Sequence, residues 1–343
     1  ENNISLKAGL NRIDHGFEIY YSLFSNQLGI LRSSHAHTAI DIINAINNEI
    51  PSVIEEFSYD INIPRQKISH DLVKIKAFKN FNFGKLTMRY DFQINDRKEF
   101  DIRRQDYRKK PALDLNLQTH SVALDLESKF DSSSNFKAGV SGRYQKNFPD
   151  PATGVKRIIP DYKKYDFSFY SIYDTTFNED WLVEAGVRYD FSHINAYKYY
   201  RTYLWEDRNY NELFPEFLVE DQGLNTLTNP KFDFHNISSN LGVRYSIDDN
   251  ENIYFNYSIS SRKPNPSELF SEGLHHSSAR IEIGDLSFAS EVGNNVSLSY
   301  SFSNEKSALT FNSFFNYVND FIYIIPVRTT TTIAGVFPVW EYM

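Results

Sequence analysis

The amino-acid sequence predicts an all-β fold, an antiparallel transmembrane β-barrel of which this chain forms a part. Three observations predict this fold. Apolar and polar residues alternate over about twelve segments of the 343-residue chain, several of these segments are ten or more residues long, and short and long connections between the segments follow one another in turn. Alternation places successive side chains on opposite faces of a strand, and segments of about ten residues are long enough to cross a bilayer at a tilt.

The alternating segments follow one another along the whole chain. In the clearest one, the even-numbered residues from Leu86 to Ile94 are apolar and the odd-numbered residues from Lys85 to Asn95 are polar. In chain order, the apolar positions that define the predicted strands are Ile4 to Leu10, Phe17 to Leu23, a weaker segment at 67–80, Leu86 to Ile94, Val122 to Leu126, Phe136 to Tyr144, Tyr165 to Phe169, Val183 to Phe191, Leu241 to Ile247, Ile253 to Ile259, Val296 to Phe302 and Leu309 to Tyr317.

The connections between these strands come in two lengths. Short polar links lie near 14–16, 82–84, 131–135, 178–180, 248–251 and 304–306, and long links lie near 26–66, 100–113, 148–162, 196–233 and 263–289. Because the two kinds alternate, all long links lie on one rim, as in outer-membrane barrels with short periplasmic turns and long extracellular loops. The helical spacing of Ala39, Ile42, Ile43 and Ile46, with Asp41 near its start, predicts a short helix in the first long link.

The composition excludes several classes of protein. The formal net charge is -8 at pH 7, which disfavours nucleic acid as a partner, and the absence of cysteine excludes thiolate catalysis and Cys-based metal sites. No apolar run approaches the roughly 18 residues that a helical membrane span needs. The sequence contains no G-x-G-x-x-G, P-loop, H-E-x-x-H or G-x-S-x-G motif, so we expect neither enzyme activity nor a cofactor.

Four arginines are predicted to face the lumen of the barrel. Arg143, Arg188 and Arg244 each follow a glycine within two residues and precede a tyrosine, and Arg89 begins an Arg-Tyr-Asp-Phe sequence that recurs at Arg188. In one interpretation they form a charged wall in lumen water, with the tyrosine rings at the level of the lipid headgroups. In the other interpretation they pair with carboxylates of a segment inside the barrel.

The long link at 196–233 is the richest in candidate ligand-binding residues. The candidates are Tyr199, Arg201, Tyr203, Trp205 and Arg208, together with His275 from the last long link. Aromatic and cationic side chains together suit an anionic chelate such as a ferric siderophore. The alternative is that these loop residues pack on one another and on the headgroup belt.

Histidines in two long links are candidate metal ligands. His35 and His37 lie in the first long link, and His275 and His276 lie in the last one. Their imidazoles can bind a transition metal if the fold brings the two links together. Two histidines alone are fewer ligands than a metal site needs, so the alternative is that they are simply exposed to solvent.

The last long link and its flanks resemble the barrel of TonB-dependent outer-membrane receptors. The stretches that carry the resemblance are 262–275 (RKPNPSELFSEGLH), 282–285 (EIGD), Glu291, 319–323 (NDFIY), 29–35, 93–100, 186–190 and 337–342. The resemblance implies a barrel of 22 strands in the outer-membrane lipid of a Gram-negative bacterium, closed around an N-terminal plug. It also implies active transport that TonB, with ExbB and ExbD, energises through the plug.

The chain departs from this family pattern in three respects. It shows no plug domain, no TonB box and no final aromatic-ending strand. We therefore expect residues 1–343 to form one barrel domain that lacks its plug and its terminal strands, with sheet edges that do not meet. Residues 1–5 carry no secretory signal, so we expect any such signal to lie upstream.

The resulting hypothesis is a barrel portion of an active transporter that imports a scarce ligand, a ferric siderophore or another metal chelate. Its loops would capture the ligand and its plug would release it. Two alternatives remain open. One is a passive outer-membrane channel of the same architecture, and the other is a soluble β-rich binding module whose apolar faces pack on each other.

Overall fold

The structure of the chain is a computed structural model that describes residues 1–30, 43–44, 46–51, 53–54, 56–103, 105–178, 180–275, 278, 280–332 and 335–343. The strands in these residues are β1 (Asn2–Asn11), β2 (His15–Gly29), β3 (Arg65–Phe81), β4 (Gly84–Phe100), β5 (Leu113–Lys129), β6 (Ser134–Pro149), β7 (Asp161–Phe177), β8 (Trp181–Arg201), β9 (Leu218–Asp221), β10 (Asn225–Thr228), β11 (Lys231–Ser246), β12 (Glu251–Arg262), β13 (Glu272–His275), β14 (Arg280–Ile283), β15 (Glu291–Ser303), β16 (Ala308–Asn319), β17 (Ile324–Thr332) and β18 (Gly335–Tyr342). Short helices include α1 (Thr202–Asp207), α2 (Tyr210–Leu213) and α3 (Pro266–Phe270).

Twelve of these strands form one antiparallel main sheet in the order β1 to β8, β11, β12, β15 and β16. This order confirms the twelve strands that alternation predicts, including the weak segment at 67–80, which lies in β3. The predicted short links are hairpin turns, and the long links leave the opposite ends of the hairpins. Strands β2 to β8 have 15–21 residues each, more than the roughly 9–11 that cross a bilayer, so they extend beyond it.

One face of the main sheet, which we call the outward face, carries a band of apolar side chains. The strand register aligns Met88, Leu124, Val140, Phe169, Tyr189 and Ile237 in one row from β4 to β11. Except for Tyr189, these side chains belong to residues that are 39–61% exposed. No second layer of protein covers them in the part of the chain that the structure describes, which disfavours the soluble module and fits a lipid-facing band.

Aromatic rings flank the apolar band at both ends. Towards the long links, a continuous row of rings crosses five neighbouring strands, with the centroids of neighbouring rings 4.5–6.4 Å apart. This row, here called the upper girdle, consists of Phe92, His120, Tyr144, Tyr165 and His193. At the hairpin end lie the ring pairs Phe130–Phe136, Phe130–Tyr173 and Trp181–Tyr245. Roughly 27 Å of strand separates Tyr165 from Tyr173 at about 3.4 Å per residue, which is comparable to the apolar band of about 25 Å in outer-membrane barrels.

The main sheet ends in two edge strands. Strand β1 pairs only with β2, and β16 pairs only with β15, in the part of the sheet that the structure describes. All of β1 and nearly all of β16 are exposed. The described strands therefore form an open sheet, as expected for a part of a barrel.

At the rim with the long links, several connections fold together into a unit that we call the cap. It contains the β9–β10 ribbon, which extends β8, and a four-stranded sheet in the order β13, β14, β18 and β17. Strands β14 and β18 are parallel, and they join the last long link to the β17–β18 hairpin. Alternation missed all six of these strands, and it began the fourth long link at 196, whereas β8 continues to Arg201.

The helix predicted in the first long link lies mostly outside the described residues. Of the described residues there, Ile43, Asn44, Ile46 and Asn47 are helical, and the Asn48 N–H donates to the Asn44 carbonyl at 2.8 Å. Ala39, Asp41 and Ile42 are not described. None of the helices within the described ranges combines the length and the apolar character that a membrane crossing requires.

Candidate ligand site at the long-link rim

The centre of the cap is an aromatic core. Trp205 of α1 is 3% exposed, and its ring lies 5.3 Å from Tyr200 of β8 and 5.2 Å from Tyr210 of α2. Phe270 of α3 packs into the same cluster. Aromatic rings bury large areas, so this core fixes the fourth and fifth long links against each other. Trp205, a predicted ligand-binding residue, therefore lies inside the cap and presents no accessible face to a ligand.

A buried lysine connects this core to the barrel wall. Lys198 of β8 lies beyond the upper girdle, and its Nζ donates to the Phe270 carbonyl at 2.8 Å and lies 3.2 Å from the Glu272 carboxylate. Lys156 pairs with the other oxygen of that carboxylate. Burial lowers the pKa of Lys198 to about 8, and the charge of Glu272 partly opposes this shift. Burial alone raises the pKa of Glu272, but the two lysines hold that pKa below its ordinary value.

Arg208 connects three parts of the cap. Its Nη1 donates to the Gly284 carbonyl at 2.7 Å and to the Tyr210 hydroxyl at 3.2 Å. The same guanidinium lies 3.7 Å from a carboxylate oxygen of Asp285 and 4.0 Å from one of Glu341. The planar guanidinium has five N–H donors, which suits this role of joining several acceptors.

A cavity of about 310 Å³, here called the bore-side cavity, opens beside these groups. Its charged lining consists of Lys198, Arg208 and Arg328 with Asp207, Glu272 and Glu341. Lys198 lies on the face of β8 opposite the apolar band, so the cavity opens towards the predicted bore. Arg328 is its most accessible cation, with 53% of its side chain exposed and one hydrogen bond of 2.6 Å to Glu341.

A second cavity of about 440 Å³, here called the outward cavity, lies at the end of the same strand, and Lys198 and Lys156 also contribute to its lining. Its lining includes Tyr197, Tyr199 and Arg201. These residues have odd numbers, like the apolar residues of β8, so they lie on the same face of the strand as the apolar band. The structure therefore places the predicted residues Tyr199 and Arg201 away from the bore. Residues 196–201 show no apolar–polar alternation in the sequence, so this placement follows from the continuation of β8 to Arg201, along which exposed and buried residues alternate. The exposed predicted residue Tyr203 lines neither cavity.

The four predicted lumen-facing arginines, Arg89, Arg143, Arg188 and Arg244, all lie on the face opposite the apolar band. Arg89 lies 3.3 Å from Asp91, and Arg188 donates to Asp190 at 2.6 and 2.7 Å. These two arginines thus pair with carboxylates of their own strands, an arrangement that neither sequence-based interpretation anticipates. Asp91 and Asp190 thus offset the charges of Arg89 and Arg188.

Of the predicted metal ligands, only His275 is described, and His35, His37 and His276 lie outside the described residues. The His275 Nδ1 lies 3.1 Å from Glu282, and its Nε2 lies 3.1 Å from the guanidinium of Arg97. A neighbouring guanidinium disfavours a metal cation at this nitrogen. The described residues contain no group of three or more His, Asp or Glu that could hold a metal ion. The four-histidine metal site stays a prediction.

Comparison with protein families agrees with this architecture. The model of the family described as TonB dependent receptor-like, beta-barrel, matches residues 20–342. The chain belongs to the TonB-dependent receptor β-barrel family. Barrels of TonB-dependent receptors lie in the outer membrane of Gram-negative bacteria. No curated protein sequence matches the chain.

Solved structures show the same fold at low sequence identity. The FrpB iron transporter from Neisseria meningitidis is 13% identical with a TM-score of 0.59, and the match covers 99% of this chain and 48% of that one. The copper transporter OprC is 11% identical with a TM-score of 0.64, covering 99% and 47%. The ferric-catecholate import receptor Fiu from E. coli K12 is 12% identical with a TM-score of 0.58, covering 93% and 52%. This receptor barrel chain spans about half the length of these proteins.

Proposed function

We propose that this TonB-dependent receptor barrel imports a metal chelate, such as a ferric siderophore, across the outer membrane. The observation that carries the proposal is the bore-side cavity, in which Lys198, Arg208 and Arg328 lie at the extracellular end of a polar wall. The similar structures support a metal-bearing cargo, because they are an iron transporter, a copper transporter and a ferric-catecholate receptor. We propose no catalytic role for the chain.

Arg328 is the residue we assign to first contact with the chelate. Its guanidinium is held on one side by Glu341 and is open to solvent on the other. A carboxylate or catecholate oxygen of the chelate would accept the remaining N–H donors, in the two-point geometry that guanidinium favours. Lys198 and Arg208 are held by cap groups, so their part is to offset the carboxylates Asp207, Glu272 and Glu341 of the same lining, which would otherwise repel an anion.

We further propose that the imported ligand passes from the cap to the receptor's own plug, and that TonB with ExbB and ExbD supplies the energy for release. In this scheme the barrel chain contributes the wall and the loops that gather the ligand. A passive channel of the same architecture needs neither the plug nor TonB. The two possibilities therefore differ in their dependence on TonB.

Uptake of a radiolabelled ferric tris-catecholate by cells that carry the whole receptor tests the proposal. We expect Arg328→Ala to weaken binding by roughly 10- to 100-fold, because a hydrogen bond to a charged group contributes about 1.5–3 kcal/mol. The matched control Arg201→Ala removes an arginine from the outward cavity, and we expect a change of less than about twofold. Unchanged binding in Arg328→Ala contradicts the bore-side assignment, and uptake that persists without TonB contradicts active transport.

A further inference from the structure

Three lysines form a row on the outward face, one step beyond the upper girdle. The register places Lys146 of β6 opposite Lys163 of β7, Lys163 opposite Asn195 of β8, and Asn195 opposite Lys231 of β11. All three lysines are exposed. Lys163 lies two residues from the girdle residue Tyr165, or roughly 7 Å along the strand. The row is therefore at the membrane surface, on the side of the long links.

No residue that the structure describes supplies a counter-charge to this lysine row. Lys146 and Lys163 are directly opposed in an antiparallel pair, where like charges are destabilising. In the described ranges none of the three lysines forms an ion pair, because the nearby carboxylates are engaged elsewhere: Asp233 with His193 at 2.7 Å and Asp161 with Arg157 at 2.5 Å. By contrast, Lys98 on the same face has Asp114 at 3.0 Å.

The depth of the row indicates which anion would offset this repulsion. Aromatic girdles lie at the level of the lipid headgroups, so the lysines lie among the outermost headgroup atoms. Phosphate groups are the anions of that layer, and an ammonium near an anionic membrane surface gains roughly 1 kcal/mol. Three ammonium groups spread over four neighbouring strands match a headgroup with more than one phosphate.

The outward cavity continues this surface away from the membrane. Tyr197 pairs in register with Asp161, one step beyond Lys163, and Tyr199 and Arg201 follow on the same face. Arg157 lines the cavity as well. Tyrosine rings present flat apolar faces with a polar tip, which suits the packing of a sugar ring, and the guanidinium groups suit further phosphate oxygens.

We propose that the lysine row and the outward cavity together bind the phosphorylated sugar headgroup of an outer-leaflet glycolipid. The lysines Lys146, Lys163 and Lys231 hold the phosphates, and the cavity holds the adjoining sugar. The site anchors one sector of the wall, from β6 to β11, at a fixed depth. This inference rests on the outer-membrane position in the proposed function and is independent of the imported cargo.

The test compares the row variant K146A/K163A/K231A with a matched control, K76A/K129A/K137A. The control removes three exposed lysines of the opposite face, so the change in net charge is equal. Whole receptors are extracted from outer membranes, checked for heat-modifiable gel mobility as evidence of folding, and stripped of lipid. They are then titrated with bis-phosphorylated lipid A, with the same lipid lacking both phosphates, and with inorganic pyrophosphate.

We expect the row variant to bind phosphorylated lipid A on the order of 100-fold more weakly than the wild type, from about 1 kcal/mol per lysine. The control should stay within about twofold, and neither dephosphorylated lipid nor pyrophosphate should bind with comparable affinity. Unchanged affinity in the row variant, an equal loss in the control, or tight binding of pyrophosphate by itself overturns the inference. Ferric tris-catecholate uptake in the same cells separates the two proposals, since a wild type without uptake refutes only the transport function.

Discussion

At the scale of single residues, the cap depends on contacts between groups that are far apart in the sequence. Lys198 donates to the carbonyl of Phe270, 72 residues away, and Lys156 pairs with Glu272, 116 residues away. Alternation and loop length carry no information about such pairs, so the sequence shows these residues only as loop charges. The burial of Lys198 and Glu272 follows from the packing of Trp205 and its neighbours, which removes water from around these two groups.

The stability of the cap should depend on pH through Lys198. Its pKa falls from 10.5 in the unfolded chain to about 8 in the cap, so the unfolded state binds more protons between these values. Unfolding free energy therefore rises with pH in this window, by up to about 3 kcal/mol. Urea titrations followed by tryptophan fluorescence between pH 8 and 9.5 measure the rise. Lys198→Met should flatten it, and an equal slope in that variant would assign the effect to other groups.

Tyr210 should contribute to cap stability through its hydroxyl. The hydroxyl donates to Asp285 at 2.8 Å and accepts from the Leu286 N–H at 3.0 Å. Tyr210→Phe leaves the Leu286 N–H without its acceptor inside the cap, whereas Asp285 keeps the two donors of Ser287, so we expect a loss of about 1–3 kcal/mol in unfolding free energy. The matched control Tyr199→Phe alters an exposed ring and should change stability by less than about 0.5 kcal/mol. The same urea titrations measure both variants, and equal effects would argue against this network.

At the scale of elements, the strands divide into those that the sequence predicts and those that it does not. Each of the twelve strands of the main sheet carries apolar side chains on its outward face and polar side chains on the other. Apolar and polar residues therefore alternate in the sequence with a period of two. The cap strands are short, and β13 and β14 have four residues each, too few for a period to emerge. The end of strand β8 lies between these two cases. Exposed and buried residues still alternate there, but the residues include tyrosine and lysine instead of aliphatic residues, so the sequence pattern does not reveal the strand.

A new charge should destabilise the fold when it is placed on the outward face of a strand and should be tolerated on the opposite face. Val140 of β6 lies in the middle of the apolar band, and its neighbour Ser141 lies on the opposite face. An arginine on the lipid face near the bilayer midplane costs about 2–4 kcal/mol. We expect Val140→Arg to lower the folded fraction in lipid vesicles, measured by heat-modifiable mobility, and Ser141→Arg to fold like the wild type. If both variants fold equally well, the outward face is not in contact with lipid.

At the scale of the whole molecule, the sequence predicts the barrel wall and leaves the cap and its cavities to the structure. Strand number, sorting of the links and the apolar band all follow from local patterns. The choice between bore and outer surface for Tyr199 and Arg201 does not, because it depends on how far β8 continues past residue 196. The structure therefore favours the charged bore-side cavity beside Arg208 and Arg328 as the ligand site, instead of the tyrosine-rich residues on the outward face.

The open main sheet gives a prediction for the complete receptor. Unpaired strand edges are very costly in lipid, so we expect further strands to lie between β1 and β16 in the membrane. The chain has no cysteine, so engineered pairs report on pairing without background. Leu6→Cys/Tyr21→Cys joins register partners of β1 and β2 and should form a disulfide on oxidation.

Double variants that join the two edges should behave differently. Leu6→Cys combined in turn with Leu309→Cys, Phe311→Cys or Phe315→Cys samples the outward positions of β16. If other strands separate the edges, their Cα atoms lie far beyond the roughly 7 Å that a disulfide spans, and none of the three pairs should cross-link in outer membranes. Efficient cross-linking of any of them would show that the twelve strands close on themselves. Such a barrel would be far narrower than one of 22 strands, and a plug inside it would be sterically excluded.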